Sequence, residues 1–275
     1  MAILQLLPPF LNVTASGVAT MKLPKYANTV NRIVLQLGGT TFTKAMITDI
    51  KVKIGQRTVY NTTGTYLDAI NKYKGIFDAA NFLTIDFTER DAPSLDGKEI
   101  GGYDMTAWQD DMFLEITIAG ATAPTLTASA MLTAPQGQGA GEIIHKLLYL
   151  PASTNTGGKF PINFSPRSAL VKRIHVFFTG TDWTGVTVDG NVNRMEIKKN
   201  GLTVFDATST VARFIQQEYR KVPQSKHFAV DFIADNNQSA ALITSDAASL
   251  EINSYLTAAD NLNVYVEVLD LPFNL

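Results

Sequence analysis

The chain has 275 residues, 45% of them hydrophobic and 17% charged, with a net charge of -2 and no cysteine. At roughly 100–200 residues per domain this length predicts two domains, each able to bury a core without a disulfide or metal staple. The composition excludes disorder, thiolate metal sites and cysteine nucleophiles, and the absence of a basic block or stripe argues against direct binding of nucleic acid.

The chain opens on an apolar stretch, Met1 to Leu11, interrupted by Pro8 and Pro9 and lacking a positive n-region or a small-residue cleavage site. It reads as an ordered extended arm and not as a signal peptide. No run of 18 apolar residues follows, so no membrane-spanning helix is predicted.

From Gly17 onward the sequence repeats itself after about half its length. Asn31-Arg32-Ile33-Val34-Leu35-Gln36-Leu37-Gly38-Gly39-Thr40 reads against Lys172-Arg173-Ile174-His175-Val176-Phe177-Phe178-Thr179-Gly180-Thr181 at an offset of 141, and Gly17, Met21 and Leu23 match Gly158, Ile162 and Phe164 at the same offset. Ile50-Lys51-Val52-Lys53, Thr58-Val59-Tyr60 and Leu83-Thr84-Ile85-Asp86-Phe87 match Met195-Glu196-Ile197-Lys198, Thr203-Val204-Phe205 and Phe228-Ala229-Val230-Asp231-Phe232 at an offset of 145. Leu114-Glu115-Ile116 matches Leu250-Glu251-Ile252 at 136. The offsets change within polar stretches, where loops accept insertions at small cost. Five matches in one order identify a duplication.

The matched segments alternate apolar and polar residues, as strands buried on one face do. Met195–Lys198 and Leu202–Phe205 flank a turn signal at Lys199-Asn200-Gly201, which predicts a hairpin, and Gly55-Gln56-Arg57 takes the same part in the first half. Leu262–Val268 reads as a final strand, with Leu126–Leu132 as its partner in the repeat. One helix is predicted in each half: Tyr66, Ile70 and Tyr73 make one apolar face, and Val211, Phe214, Ile215 and Tyr219 make the other, the pattern of helices lying on a core. About eight short strands per half, with one short helix inserted in each, predict an all-β chain of two tandem jelly-roll sandwiches. One helix per half cannot supply the crossovers of a parallel α/β fold. The first jelly roll, with its arm, is assigned to residues 1–134, a linker to 135–146 and the second to 147–275. Within the boundary, Ala134 to Gly141 is rich in Gly, Pro and Gln, and Glu142 to Leu150 is a short amphipathic lead into the second half.

The sequence is poor in site chemistry. Its three histidines, His145, His175 and His227, form no His-x-His pair of the kind a metal enzyme on this scaffold would need, and His175 aligns with Val34 as a sheet position. There is no Gly-x-Ser-x-Gly elbow, and Gly137–Gly141 fits neither phosphate-loop pattern. Asp189-Gly190-Asn191-Val192-Asn193 has the oxygen spacing of a calcium-loop start, but Arg194 and Asn200 stand where such a loop needs Gly and Glu. Asp110-Asp111 and the Glu89, Asp91 and Asp96 group read as solvated loop charge. Asp86 and Asp231 hold matched strand positions and read as structural hydrogen-bonding residues. Trp183 aligns with Phe42 as a packing position, and with Trp108 it makes no evident sugar platform. The sequons at Asn12, Asn61 and Asn237 carry no weight without a secretory signal. No catalytic or cofactor-binding residue is assigned, and no metal ligand.

Leu7-Pro8-Pro9-Phe10, Leu23-Pro24, Leu37–Thr43, Leu67-Asp68-Ala69-Ile70-Asn71-Lys72-Tyr73, Phe82–Phe87 and the closing Val264–Asp270, in this order over nearly the whole chain, resemble the major capsid protein of corticovirus-like phages and related prophages. These are tailless icosahedral double-stranded DNA phages with an internal membrane. The resemblance implies a double jelly roll, and a homotrimer of near-hexagonal outline that tiles a virion shell after synthesis in the bacterial cytoplasm. It implies partners among minor capsid or membrane-associated virion proteins. No cofactor is required by this reading. Structural calcium, which members of the group can bind, enters through the resemblance without a ligand residue. The apolar arm is the candidate contact with a neighbour, a minor protein or the viral membrane surface. Two other classes compete: a tandem jelly-roll module binding carbohydrate or a receptor, which predicts a cleft with exposed aromatic or acidic groups, and a jelly-roll enzyme, which predicts clustered ligands or carboxylates.

Overall fold

The computed structural model describes residues 3–137, 142–164, 169–185 and 187–274. Of the predicted boundary region, 138–141 lie outside the described residues, as do Met1 and Ala2 of the arm. The chain divides into two units. Unit 1 comprises Met1–Lys72, Ile76–Leu148 and Leu269–Asn274; unit 2 comprises Tyr73–Gly75 and Tyr149–Val268.

Unit 1 contains β1 (Ile3–Leu6), β2 (Gly17–Lys22), β3 (Thr29–Thr41), β4 (Ile47–Ile54), β5 (Arg57–Thr62), α1 (Gly64–Tyr73, whose last residue groups with unit 2), β6 (Phe82–Asp86), α2 (Leu95–Glu99), β7 (Tyr103–Asp104), β8 (Met112–Ile118) and β9 (Thr122–Thr133). One sheet runs β1-β9-β3-β6, with β7 beside β3; the other runs β5-β4-β8-β2. Alternation sets the core. Ile33, Leu35 and Leu37 on β3, Leu83 and Ile85 on β6, and Ala128, Ala130 and Leu132 on β9 are buried, while Arg32, Val34 and Gln36 point to the opposite face. Each large aliphatic side chain so enclosed contributes about 1.5–3 kcal/mol.

Unit 2 repeats this plan with β10 (Ile144–Thr154), β11 (Gly158–Ile162), β12 (Leu170–Phe178), β13 (Val192–Lys199), β14 (Leu202–Thr208), α3 (Ser209–Glu218), β15 (His227–Asp231), β16 (Leu242–Ile243), β17 (Leu250–Leu256) and β18 (Asp260–Asp270). From Tyr149 onward β10 runs beside β18, in the order β15-β12-β18-β10; the second sheet is β11-β17-β13-β14. Strand for strand, these orders equal those of unit 1, which is the jelly-roll arrangement read from the duplication. The predicted hairpin is present: Asn200 and Gly201 take φ of 51° and 78°, the paired left-handed conformation of a two-residue turn between β13 and β14.

Two features differ from the sequence reading. A short extra helix, α2, forms where the Ser94 hydroxyl accepts from Gly97 N at 3.0 Å, an N-cap carried by side-chain chemistry and not by apolar periodicity. More important, α3 lies with its predicted apolar face outward. Ser209, Ala212, Arg213 and Gln216 are buried, whereas Val211, Phe214, Ile215 and Tyr219 are exposed. No helix among the described residues is long and apolar enough to cross a membrane.

Candidate functional site

The outer face of the β3–β6 pair and its counterpart on β12–β15 are matched row by row. In unit 1 the paired rows are Arg32–Asp86, Val34–Thr84 and Gln36–Phe82; in unit 2 they are Arg173–Asp231, His175–Ala229 and Phe177–His227. The unit 2 face is enclosed. The Arg173 guanidinium bonds the carboxylates of both Asp231 and Glu267 at 3.0 Å, and the Tyr73 hydroxyl donates to Asp231 at 2.9 Å. His175 Nε2 lies 3.2 Å from Glu267 Oε1, its Nδ1 lies 3.0 Å from His227 Nε2, and Lys74 Nζ approaches Glu267 at 3.9 Å. Tyr73 meets both imidazoles edge-on, and His227 stacks on Phe177 with centroids 4.5 Å apart.

The titration of this cluster follows from its burial. Burial pushes His227 well below the ordinary imidazole value, and neighbouring His175 adds to the shift, so His227 is neutral. Burial alone would raise Glu267, but Lys74, Arg173 and the bond from His175 outweigh it and hold the carboxyl well below its usual range. Burial, reinforced by the Asp231 carboxylate, raises Tyr73 well above its ordinary value and keeps its hydroxyl a donor. The cluster is a set of groups that satisfy one another, wholly enclosed, with two cations set against two carboxylates.

This geometry places most of the residues singled out in the sequence. His175 and His227 come together although 52 positions separate them; a search for close sequence spacing missed them because they sit on neighbouring antiparallel strands. His145 is buried in unit 1, its ring 6.0 Å from Tyr60. Asp86 and Asp231 each face an arginine, Arg32 at 3.6 Å and Arg173 at 3.0 Å. The Asp189–Asn193 segment is tied into the fold: Asp189 accepts from Thr210 N at 2.8 Å, and the Asn191 amide donates to Asp260 at 2.6 Å while its oxygen accepts from Thr257 and Ala258. Asp111 pairs with Lys22 at 2.7 Å and Asp91 with Arg90 at 3.0 Å, whereas Glu89 is buried and Asp96 lies in the first turn of α2. Among the described residues no group of three His, Asp or Glu side chains is arranged to hold a metal ion. Trp108 is buried in unit 1; Trp183 in unit 2 lies under the Arg213 guanidinium, 4.5 Å from its ring centre. A shallow groove of about 480 Å³ runs between Pro161–Phe164 and Leu250–Asn253, without an exposed aromatic cluster.

What remains open is apolar surface. The arm forms β1, an edge strand paired with β9, and leaves Leu4 and Leu6 72% and 71% exposed while Leu7 and Phe10 turn inward. The outward face of α3 and the edge strand β14, with Leu202 at 70%, make a second open region.

Family models match both halves: the viral coat protein P2 N-terminal domain over residues 4–133 and the viral coat protein P2 C-terminal domain over residues 144–272. Among solved structures, the chain is similar to the major capsid protein P2 from bacteriophage PM2, at 17% identity over 98% of both chains with a TM-score of 0.85. It is similar also to the STIV MCP, from Sulfolobus turreted icosahedral virus, at 16% identity over 99% of this chain and 98% of that one with a TM-score of 0.74. The PBCV-1 virus capsid follows at 12% identity over 98% and 93%, with a TM-score of 0.65. No curated protein sequence matches the chain. These likenesses carry the double jelly-roll fold across low sequence identity.

Proposed function

The chain belongs to the viral coat protein P2 family, and from that premise we propose that it is a major capsid protein whose three-fold association builds a capsomer of near-hexagonal outline. Its place is the virion shell. The observation that carries the proposal is the duplication at the level of strand order: each unit has the orders β1-β9-β3-β6 and β5-β4-β8-β2 or their exact counterparts, so three chains present six similar sandwiches around one axis. Such capsomers tile an icosahedral shell around an internal membrane. The role is structural and not enzymatic, which is supported by buried charges that pair with one another rather than converge on a cleft. Minor virion proteins or the membrane surface meet the shell from outside this association, with the exposed leucines of the arm available to such contacts or to a neighbouring copy.

The test is the solution mass by light scattering after gel filtration. The expected result is a trimer of the 29.9 kDa chain, followed by shell-like arrays on imaging. A chain that stays monomeric at high concentration, with and without calcium, would overturn the proposal.

A further inference from the structure

Unit 1 is not one stretch of chain. It also holds Leu269–Asn274, which follow Tyr149–Val268 of unit 2 in the sequence. Two pieces from beyond the first repeat therefore complete it: the start of β10 and this closing segment. The start of β10 is held by His145 N, which donates to the Gly101 carbonyl at 2.9 Å, and by the Tyr103 hydroxyl, which donates to the His145 carbonyl at 2.7 Å. Leu147 pairs in parallel with Tyr60 and covers β5, which would otherwise offer unpaired backbone groups along its edge.

The closing segment is locked onto that start. Lys146 is 2% exposed, and its hydrogen-bond partners among the described residues both lie on the closing segment: Asp270 Oδ2 at 3.1 Å and the Asn274 carbonyl. Asp270 Oδ1 accepts from Leu271 N and Asn274 Nδ2, each at 2.8 Å, so the same carboxylate shapes the turn that brings the Asn274 carbonyl to the amine. Arg57 holds the outer side: its guanidinium donates to the Phe273 carbonyl and stands 5.5 Å from the ring centre. Leu269 and Pro272 are buried, and Leu269 lies so close to Gly101 that an added Cβ there would come within 2.9 Å of Leu269 Cδ2.

The ion pair decides whether this segment stays docked. Docked, it takes an amine and a carboxylate out of water, which is tolerated because each completes the other. Undocked, both are hydrated. With one of the two charges removed, the docked state carries an unpaired buried ion and the undocked state loses nothing.

We propose that Leu269–Asn274 are a strap that seals the first jelly roll only after the second has formed. The strap continues β18, whose earlier residues belong to unit 2. Unit 1 stays open at Lys146 until that strand has delivered Asp270. Domains generally complete themselves in order along the chain; unit 1 does not, because part of it follows unit 2.

Hydrogen exchange of the full chain, read by mass spectrometry, tests both the order and the fastening. Residues 57–62 and 144–148 report on the strap, and residues 227–231 and 250–256 are the unit 2 control. Pulse labelling during refolding from urea should show 144–148 gaining protection with the closing segment and no earlier than the control; protection of 144–148 ahead of 227–231 overturns the order. At equilibrium, Asp270→Asn should raise exchange in 144–148 by about 100-fold and leave the control nearly unchanged. Lys146→Met/Asp270→Asn, which leaves no buried charge unpaired, should restore most of that protection. A rise shared equally by both units, or a double variant as open as the single one, overturns the strap. Arg57→Leu, at an exposed residue, keeps the test decisive if Asp270→Asn does not fold. It should speed exchange in the same segments roughly threefold, and no change there overturns the proposal.

Discussion

Arg32 faces Asp86 and Arg173 faces Asp231 at matched places in two sheets of one design, yet the first guanidinium is 15% exposed and 3.6 Å from its partner, and the second is fully enclosed at 3.0 Å. The difference lies in what covers them. Arg32 shares its face with Val34 and exposed Phe82, and water carries part of its solvation. Arg173 has lost water altogether, and its row has acquired Glu267, His175, His227, Lys74 and Tyr73 as a closed set of partners. A charge taken out of solvent costs several kcal/mol unless its partners are complete. Covering a sheet face therefore changes which residues that face can hold, even where the backbone plan is unchanged.

The sharpest way to break this comparison is to remove the two arginines. Arg173→Met leaves Asp231 and Glu267 buried without their shared cation and should lower stability by about 3–5 kcal/mol in urea unfolding. Arg32→Met deprives one buried carboxylate, Asp86, of a cation that keeps some solvent contact, and should cost less than Arg173→Met, which strands two. Equal losses would show that enclosure does not distinguish the two faces.

Acid should separate the faces next. His227 is held neutral below its ordinary pKa of 6.5, so the unfolded chain binds a proton that the folded chain refuses, and stability falls as pH drops below 6.5. Glu267 is held ionised below its ordinary value of 4.5, so its contribution is present above 4.5 and is lost as pH falls further. Both terms have the same sign, and one such proton changes stability by up to about 1.4 kcal/mol per pH unit. Melting of wild type from pH 7.5 to 4 should show this decline. His227→Gln should flatten the stretch between 6.5 and 4.5 and keep the drop below it; a wild-type slope in that variant would remove His227 as the cause.

Much of this architecture was legible in the sequence, and the places where it was not share one physical origin. The repeat, the alternation on β3 and β13 and the Asn200-Gly201 turn are local signals, and the strands formed where those signals lay. The outward face of α3 was not legible because helical periodicity reports that a helix has an apolar side, not which body covers it. The buried cluster was missed because β12 is enclosed on both faces: Arg173, His175 and Phe177 share a face that is buried, whereas strand alternation by itself does not say that both faces are covered. One signal could have exposed it. Arg32 and Arg173 recur opposite Asp86 and Asp231, and laying the matched strands antiparallel brings each pair together from the sequence alone.

The helix anchors offer a comparison in which the two halves should agree. Asn71→Ala and Gln216→Ala each take the side-chain donor from a backbone carbonyl, part-buried at Thr84 and buried at Ala229, and each should cost about 1–2 kcal/mol. Similar losses would show that α1 and α3 are seated by one design, although Ile70 is buried and Ile215 exposed. A loss confined to Asn71 would mean that α3 is not held as α1 is.

The smallest expected effect concerns the matched hairpin turns. Gly55 and Gly201 both take left-handed φ, 59° and 78°, where a Cβ costs about 1 kcal/mol. Around Gly201 nothing stands within 4 Å of an added Cβ, so Gly201→Ala should show that backbone cost alone. At Gly55 the added carbon would meet the Asp110 carboxyl at 3.3 Å, so Gly55→Ala should cost slightly more unless this exposed side chain swings away. Melting temperatures of the two variants, measured with and without Asp110→Ser in the background, separate the contributions. If Asp110→Ser brings Gly55→Ala level with Gly201→Ala, the two left-handed positions carry the same backbone cost although Gly55 is the first residue of its turn and Gly201 the second of its own.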